Sequence, residues 1–162
     1  MWPSTYVTVM KNGIALPDVN IPVAKASPGF FKWPLGAVII VNQDGTFNNP
    51  SHPAPNGSIV TLYGTGSGTL QTAVENGSVG NGTTRPVLPA NAQLGPFDGI
   101  PSFGEGGSAS MAIPYFGDAP TLVQGAVVLN VQLSFPAFHR DTFLTISVGG
   151  YRTSEVVQVW LK

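Results

Sequence analysis

Two histidines, eight carboxylates and no cysteine are the reactive side chains available to this sequence. A base working at neutral pH must be His52 or His139. His52 sits in the proline-rich crossing Pro50-Ser51-His52-Pro53-Ala54-Pro55, and His139-Arg140-Asp141 reads as a solvated loop between strands. A serine nucleophile wants the sharp Gly-x-Ser-x-Gly elbow, but Ser67 carries Thr65 and Thr69 at the two glycine positions. Gly104-x-Gly106-x-x-Ala109 imitates a dinucleotide fingerprint without the parallel strand before it or the helix after it. The acidic residues are dispersed, so no pair reads as the two carboxylates of a glycosidase. The absence of cysteine removes disulfides, thiolate metal sites and thiol catalysis together. The expectation is a protein that is not an enzyme and holds no metal or cofactor.

Weaker binding signals each have a plainer reading. Asn42-Gln43-Asp44-Gly45-Thr46 offers oxygens at alternating positions, but a calcium loop needs about six to eight ligands and a closing Glu. Asp-Gly reads instead as a tight turn. Asp98, Glu105 and Asp118, scattered around a long loop, are an equally thin calcium set. Asn56-Gly57-Ser58, Asn76-Gly77-Ser78 and Asn81-Gly82-Thr83 are formal glycosylation sequons that read as turns. Trp33, Tyr63, Tyr115, Phe116 and Tyr151 build a sugar-stacking platform only if they share one sheet face; in a small sandwich such residues serve more often as core.

The elements that must carry these residues are strands. Val127, Leu129, Val131, Leu133 and Phe135 alternate with Asn130, Gln132 and Ser134, with Val128 as the exception, which is the period of a sheet with one buried face. Leu144, Ile146 and Val148 repeat the pattern before a Gly149-Gly150 turn, and Val157, Val159 and Leu161 close the chain on one face. Further strands are expected at 6–10, 19–24, 36–42, 58–64 and 109–113, with short ones near 70–74 and 85–88. Phe30, Phe31 and Trp33 read as a hydrophobic plug. The stretch 66–107 reads as a long Gly, Asn, Thr, Ser and Pro-rich loop region. No window carries a helical period.

Composition agrees with an all-β chain: 20 Gly and 15 Pro punctuate 162 residues that are 43% hydrophobic, enough to fill a core. Only 9% of residues are charged and the net charge is −1, so no electrostatic footprint for nucleic acid or an anionic membrane exists. No apolar run approaches the roughly 20 residues of a spanning helix. Met1-Trp2-Pro3-Ser4 lacks the basic start and long apolar run of a signal peptide, so an exported protein would contain this chain as a mature portion.

Ser27-Pro28-Gly29-Phe30, the block from Asn42-Gln43-Asp44-Gly45 through Asn48, Pro50, Pro53-Ala54, Gly57, Val60, Leu62-Tyr63 and Thr65-Gly66-Ser67-Gly68, and Ser147-Val148-Gly149-Gly150-Tyr151 with Ser154 carry a resemblance. Together they resemble the uncharacterised C-terminal domain family of Solibacter-like acidobacterial secreted proteins, within the wider class of IPT/TIG-like sandwich domains. The resemblance covers most of 19–162, and between about 69 and 107 this chain is longer than the family pattern. It implies an immunoglobulin-like antiparallel β-sandwich in a secreted, often multidomain context, and it supplies no catalytic residues. In the family the counterpart of residues 5–27 resembles the end of a preceding sandwich.

The chain therefore divides into an N-terminal hairpin extension, 1–27, and a sandwich domain, 28–162. Partner binding is expected at the extension, through Tyr6, Val7, Val9, Val19, Ile21 and Val23, by addition of a strand to unused backbone donors and acceptors. The expected partner is a second copy or a neighbouring domain of the same protein, at the cell surface or outside the cell. A polysaccharide, bound by exposed aromatics and the 66–107 loops, is the alternative.

Overall fold

The alternation along 127–133 becomes the centre of the protein. A computed structural model describes residues 3–75, 77–96, 108–134 and 142–162. All regular structure among them is antiparallel β, with no helix. β1 (Ser4–Val7), β2 (Met10–Lys11), β3 (Ile14–Ala15) and β4 (Val19–Pro22) form an N-terminal arm, in which β1 pairs β4 and β2 pairs β3. The body holds β5 (Gly29–Phe30), β6 (Ile40–Asn42), β7 (Ile59–Thr65), β8 (Ala90–Pro96), β9 (Ala109–Asp118), β10 (Val127–Gln132), β11 (Thr142–Val148), β12 (Tyr151–Arg152) and β13 (Val157–Val159). These join in one curled sheet ordered β12-β11-β8-β9-β10-β7-β5, with β13 also on β11 and β6 also on β7.

Inward residues of successive strands make the core: Val60 and Leu62 from β7, Leu94 from β8, Leu129 and Val131 from β10, Leu144 and Ile146 from β11, Val157 and Val159 from β13. Asn130 and Gln132 point away from it, as their alternation requires. Val128 breaks the pattern because the outer face of β10 has its own small core, where Val128 and Ala126 pack with Ala119 beneath Tyr63 and Tyr115. Pro114 is tolerated inside β9 because it lies in a bulge, where Ile113 and Pro114 together face Val131 and the β9–β10 register shifts between Asn130 and Gln132.

The two ends of the curled sheet are tied to each other. Asn48 Nδ2 donates to the Trp160 carbonyl at 2.8 Å, and the Trp160 N–H donates to Asn48 Oδ1 at 2.7 Å. A carboxamide here does the work of one backbone bridge, since it alone offers a donor and an acceptor side by side. Ala54 continues the tie: its N–H donates to Trp160 O and its carbonyl accepts from Lys162 N. Asn42, buried at the end of β6, accepts from Asn48 Nδ2 and donates to Thr46 Oγ1 and His52 O. The proline-rich crossing thus runs extended between sheet ends because prolines hold it so and two asparagines clamp it.

Several sequence expectations change. The region 66–107 is not simply loop, because β8 lies within it and pairs both β9 and β11. Near 70–74 and 85–88 the structure has one isolated bridge, Leu70↔Pro86. The expected strand at 6–10 divides into β1 and β2. Of the supposed plug only Phe30 is buried; Phe31 and Trp33 are exposed.

Replacing Asn48 by Ala removes three hydrogen bonds and leaves the Trp160 N–H and C=O without that partner. At about 1 kcal/mol net per bond, Asn48→Ala should lower unfolding free energy by roughly 2–4 kcal/mol in urea titration. A loss below about 0.5 kcal/mol would show that the sheet closes without the clamp.

Candidate interaction surface

The arm owes its shape to alternation and a two-residue turn. Asn12 and Gly13 both adopt positive φ, 51° and 77°, the backbone that a tight hairpin turn demands. Cross-strand partners are Thr5↔Ile21, Tyr6↔Asn20 and Val7↔Val19, so Val7, Val19 and Ile21 share one face with Thr5 while Tyr6 and Asn20 share the other. Val23, whose N–H donates to Pro3 O at 2.7 Å, extends the first face at the root. Val9 extends it toward the tip by alternation from Val7. The opposite face mixes Tyr6 and Pro22 with Ser4 and Asn20, and beyond them the Thr8 hydroxyl donates to the Asp18 carboxylate. Every residue from 3 to 25 is exposed, and the six expected binding residues keep between 40% and 68% of their surface in water.

The arm leaves the body where the Thr65-Gly66-Ser67-Gly68 bend receives it. Ser27 N donates to Gly66 O at 2.9 Å, and Ala26 is buried. A Cβ on Gly66 would fall 1.9 Å from Ser27 O and one on Gly68 would fall 2.3 Å from Lys25 O, each at a φ near +80°. Glycine is required there by close backbone approach and by conformation together.

A second apolar surface, missed in the sequence, lies on the body. Trp33 stands edge-on to Phe47 with ring centroids 5.0 Å apart. Phe31, Trp33 and Phe47 are each more than 40% exposed, and Leu35 at the intervening turn is 100% exposed. The signal for Phe47 was its spacing from Val41, with which it bridges across the Asn42–Thr46 turn.

The other candidate residues are placed plainly. Asp44 Oδ1 accepts from Thr46 N at 3.0 Å and Thr46 Oγ1 at 2.6 Å, so the would-be calcium loop is an Asx turn. Those bonds, the hydroxyl's first, hold the Asp44 carboxyl below the usual range. His52 is exposed, and its backbone N–H donates to Asn49 Oδ1. Asp118, 1% exposed, accepts backbone N–H bonds from Asn81, Gly82 and Thr84 at 2.9–3.1 Å, so its carboxylate pins the 80–84 turn. Tyr115 reaches Asp118 O at 2.8 Å under the Arg85 guanidinium; burial, then the Asp118 charge, push its phenol upward. Asn81 Oδ1 accepts from Thr83, and Gly57 and Gly82 take positive φ, so two sequons are turns.

Tyr63 and Tyr115 cover the small outer core, Phe116 packs on the main one, Tyr151 lies in β12, and Trp33 meets Phe47; the five aromatics share no single face. Phe135, His139, Arg140, Asp141, Asp98, Glu105, Gly104, Gly106 and Asn76 lie outside the described residues. Ala109 opens a strand, not a helix. A cleft of about 280 Å³ beside the Gly66–Gly68 bend has Glu75 as the titratable group of its lining, which provides no acid–base pair. Among the described residues no three His, Asp or Glu side chains gather as a metal site.

Comparison with protein families, with curated proteins and with solved structures finds no match.

Because its side chain is half in water, Val19→Asp should change body stability by less than about 0.5 kcal/mol. Gly66→Ala, forced against Ser27 O, should cost roughly 2 kcal/mol or more. Urea midpoints of the two variants check this. A larger effect at Val19 than at Gly66 would mean that the arm is part of the body's core.

Proposed function

We propose that the protein is a non-enzymatic structural or adhesive domain, of an immunoglobulin-like kind, that associates through its N-terminal arm. The observation that carries this reading is the arm's uncovered face: Val7, Val9, Val19, Ile21 and Val23 form an aliphatic row on a hairpin whose strands, among the described residues, pair only with one another. A folded chain does not gain by displaying such a row to water, at about 25 cal/mol per Å² of apolar surface. Contiguous exposed apolar surface marks a place where something else binds.

Strand addition supplies the mechanism. Among the described residues β1 and β4 pair with each other and with no body strand, so each has an outer edge of backbone donors and acceptors. An added strand satisfies these while alternate side chains meet the aliphatic row. Head-to-tail addition need not close, and it builds a filament or a surface array. The low charge of the chain fits this role, because charge is a usual guard against edge pairing. A secreted, cell-surface setting goes with the same reading.

Removal of residues 1–24 leaves Ala26, Ser27 and the body intact. The shortened chain should stay folded by circular dichroism and remain monomeric by light scattering, at concentrations where the full chain forms larger species. Association undiminished by the deletion would sink the reading.

A further inference from the structure

Asn-Gly is the dipeptide most prone to lose its side-chain nitrogen as ammonia, and the fold treats its copies unequally. The sequence holds Asn-Gly at 12–13, 56–57, 76–77 and 81–82, of which Asn76 lies outside the described residues. The reaction starts at the glycine amide, whose nitrogen gives up its proton and attacks the asparagine Cγ. Gly57 N is occupied, donating to Leu133 O at 2.7 Å. Gly82 N donates to Asp118 Oδ2 at 3.1 Å, and Asn81 Oδ1 accepts from Thr83 N at 3.0 Å and Thr83 Oγ1 at 2.6 Å. Either amide must break a hydrogen bond before it can act as a nucleophile.

Asn12-Gly13 is held by nothing of the kind. Both residues are exposed at the tip of the arm, and among the described residues neither the Asn12 carboxamide nor the Gly13 N–H has a hydrogen-bond partner. A Cβ placed on Gly13 would meet no heavy atom within 4 Å, so no neighbour crowds the turn. The positive φ values of 51° and 77° suit Asn and Gly, but little locks them. β2 and β3 pair at only two positions, Met10↔Ala15 and Lys11↔Ile14, and a two-stranded ribbon is marginal in water. The rotation that brings Asn12 Cγ onto the Gly13 nitrogen disturbs no more than those two pairs.

We propose that Asn12 is a site of spontaneous covalent modification, at which the tip of the arm converts to aspartate and isoaspartate. The Gly13 N–Cγ bond forms as the Cγ–Nδ2 bond breaks. The proton lost by Gly13 N leaves with the amide group as ammonia, and a five-membered imide remains. Water then opens the imide, and neither step changes an oxidation state. Attack at Cγ gives an ordinary aspartyl–glycine peptide; attack at the main-chain carbonyl carbon leaves the chain running through the side chain as isoaspartate. Either product carries one more negative charge than asparagine at neutral pH. Asp-Gly suits the same tight turn. Isoaspartate instead adds a methylene to the backbone, so the turn no longer joins Lys11 and Ile14 in register, and β2 separates from β3.

Incubation of the full chain in mildly alkaline buffer, followed by peptide mapping, tests this. The Asn12 peptide should gain about 1 Da. Its rate should exceed those of the Asn56 and Asn81 peptides by about ten-fold, because those two react only through local opening. The rate should rise with pH, since the glycine amide must ionise. In urea the three rates should converge to within about three-fold, because the protecting bonds are gone. The isoaspartate product, identified by isoaspartyl methyltransferase labelling, should lose the Lys11–Ile14 cross-strand contact in NMR spectra, whereas the Asn12→Asp variant keeps it. An Asn12 rate no faster than the other two in the folded chain overturns the site. An excess that survives unfolding unchanged overturns its structural origin, and a contact kept in the isoaspartate product overturns the unpairing. None of these readouts depends on association through the arm.

Discussion

The closing of the sheet by Asn48 is the constraint on which the rest of the body depends. A curled sheet has two ends, and each would otherwise expose a row of unpaired backbone groups. Asn48 joins them by bonding both polar groups of Trp160, while Ala54 bonds the same strand one step away. Aspartate at position 48 could accept from the Trp160 N–H but would face its carbonyl with no donor. Asn42 holds the clamp in place from behind, and Asp44 and Thr46 fix the turn that brings Asn42 and Asn48 together. The polar residues Asn42, Asp44, Thr46 and Asn48 of this most distinctive part of the sequence are thus spent on holding the fold.

Closure has a consequence for binding. With its ends tied, the body keeps its aliphatic interior sealed, and exposed apolar side chains remain along the arm, at the 31–47 end and at positions such as Val79 and Val123. The arm joins the body through a short flat contact at Gly66 and Gly68, where nothing larger than hydrogen fits. That contact fixes where the arm starts without covering any of its face. Asp118 shows the same division of labour: its buried carboxylate accepts from three backbone donors and from Gln124 Nε2, so it holds the 80–84 turn in place.

Local patterning made much of this legible. The alternation at 127–133 and 144–148, the Gly149-Gly150 turn and the Asp44-Gly45 turn all follow from period and turn chemistry. Tyr6, Val7, Val19 and Ile21 were readable as strand residues for the same reason. β8 was hidden because Ala-Asn-Ala-Gln-Leu-Gly has few β-branched residues, although Ala92 and Leu94 do alternate inward. Phe31 and Trp33 were misjudged because hydrophobicity says what a side chain prefers, not whether the fold has room for it. The Asn48–Trp160 tie spans 112 positions, and no local rule connects two such residues. Val128 needed knowledge of a second core that only assembly of Tyr63, Ala119 and Tyr115 reveals.

Two hairpins, the β1–β4 arm and the β11–β13 segment, separate what sequence decides from what context decides. Each folds back around a glycine-containing turn, Asn12-Gly13 in one and Gly149-Gly150 in the other, so local chemistry is sufficient to choose the hairpin. Only one is covered, because only β11 has β8 beside it and the inward residues of the curled sheet's other strands packed against it. A two-stranded ribbon is marginal in water without a third strand or a packed face. The body hairpin draws its stability from Leu144, Ile146, Val157 and Val159 in the core; among the described residues nothing gives the arm such a reserve. Under the association proposed for it, covering Val7, Val19 and Ile21 and fixing the arm's register become a single event, with the ordering entropy set against the contact. That coupling makes the contact weaker than its apolar area suggests, and easily reversed.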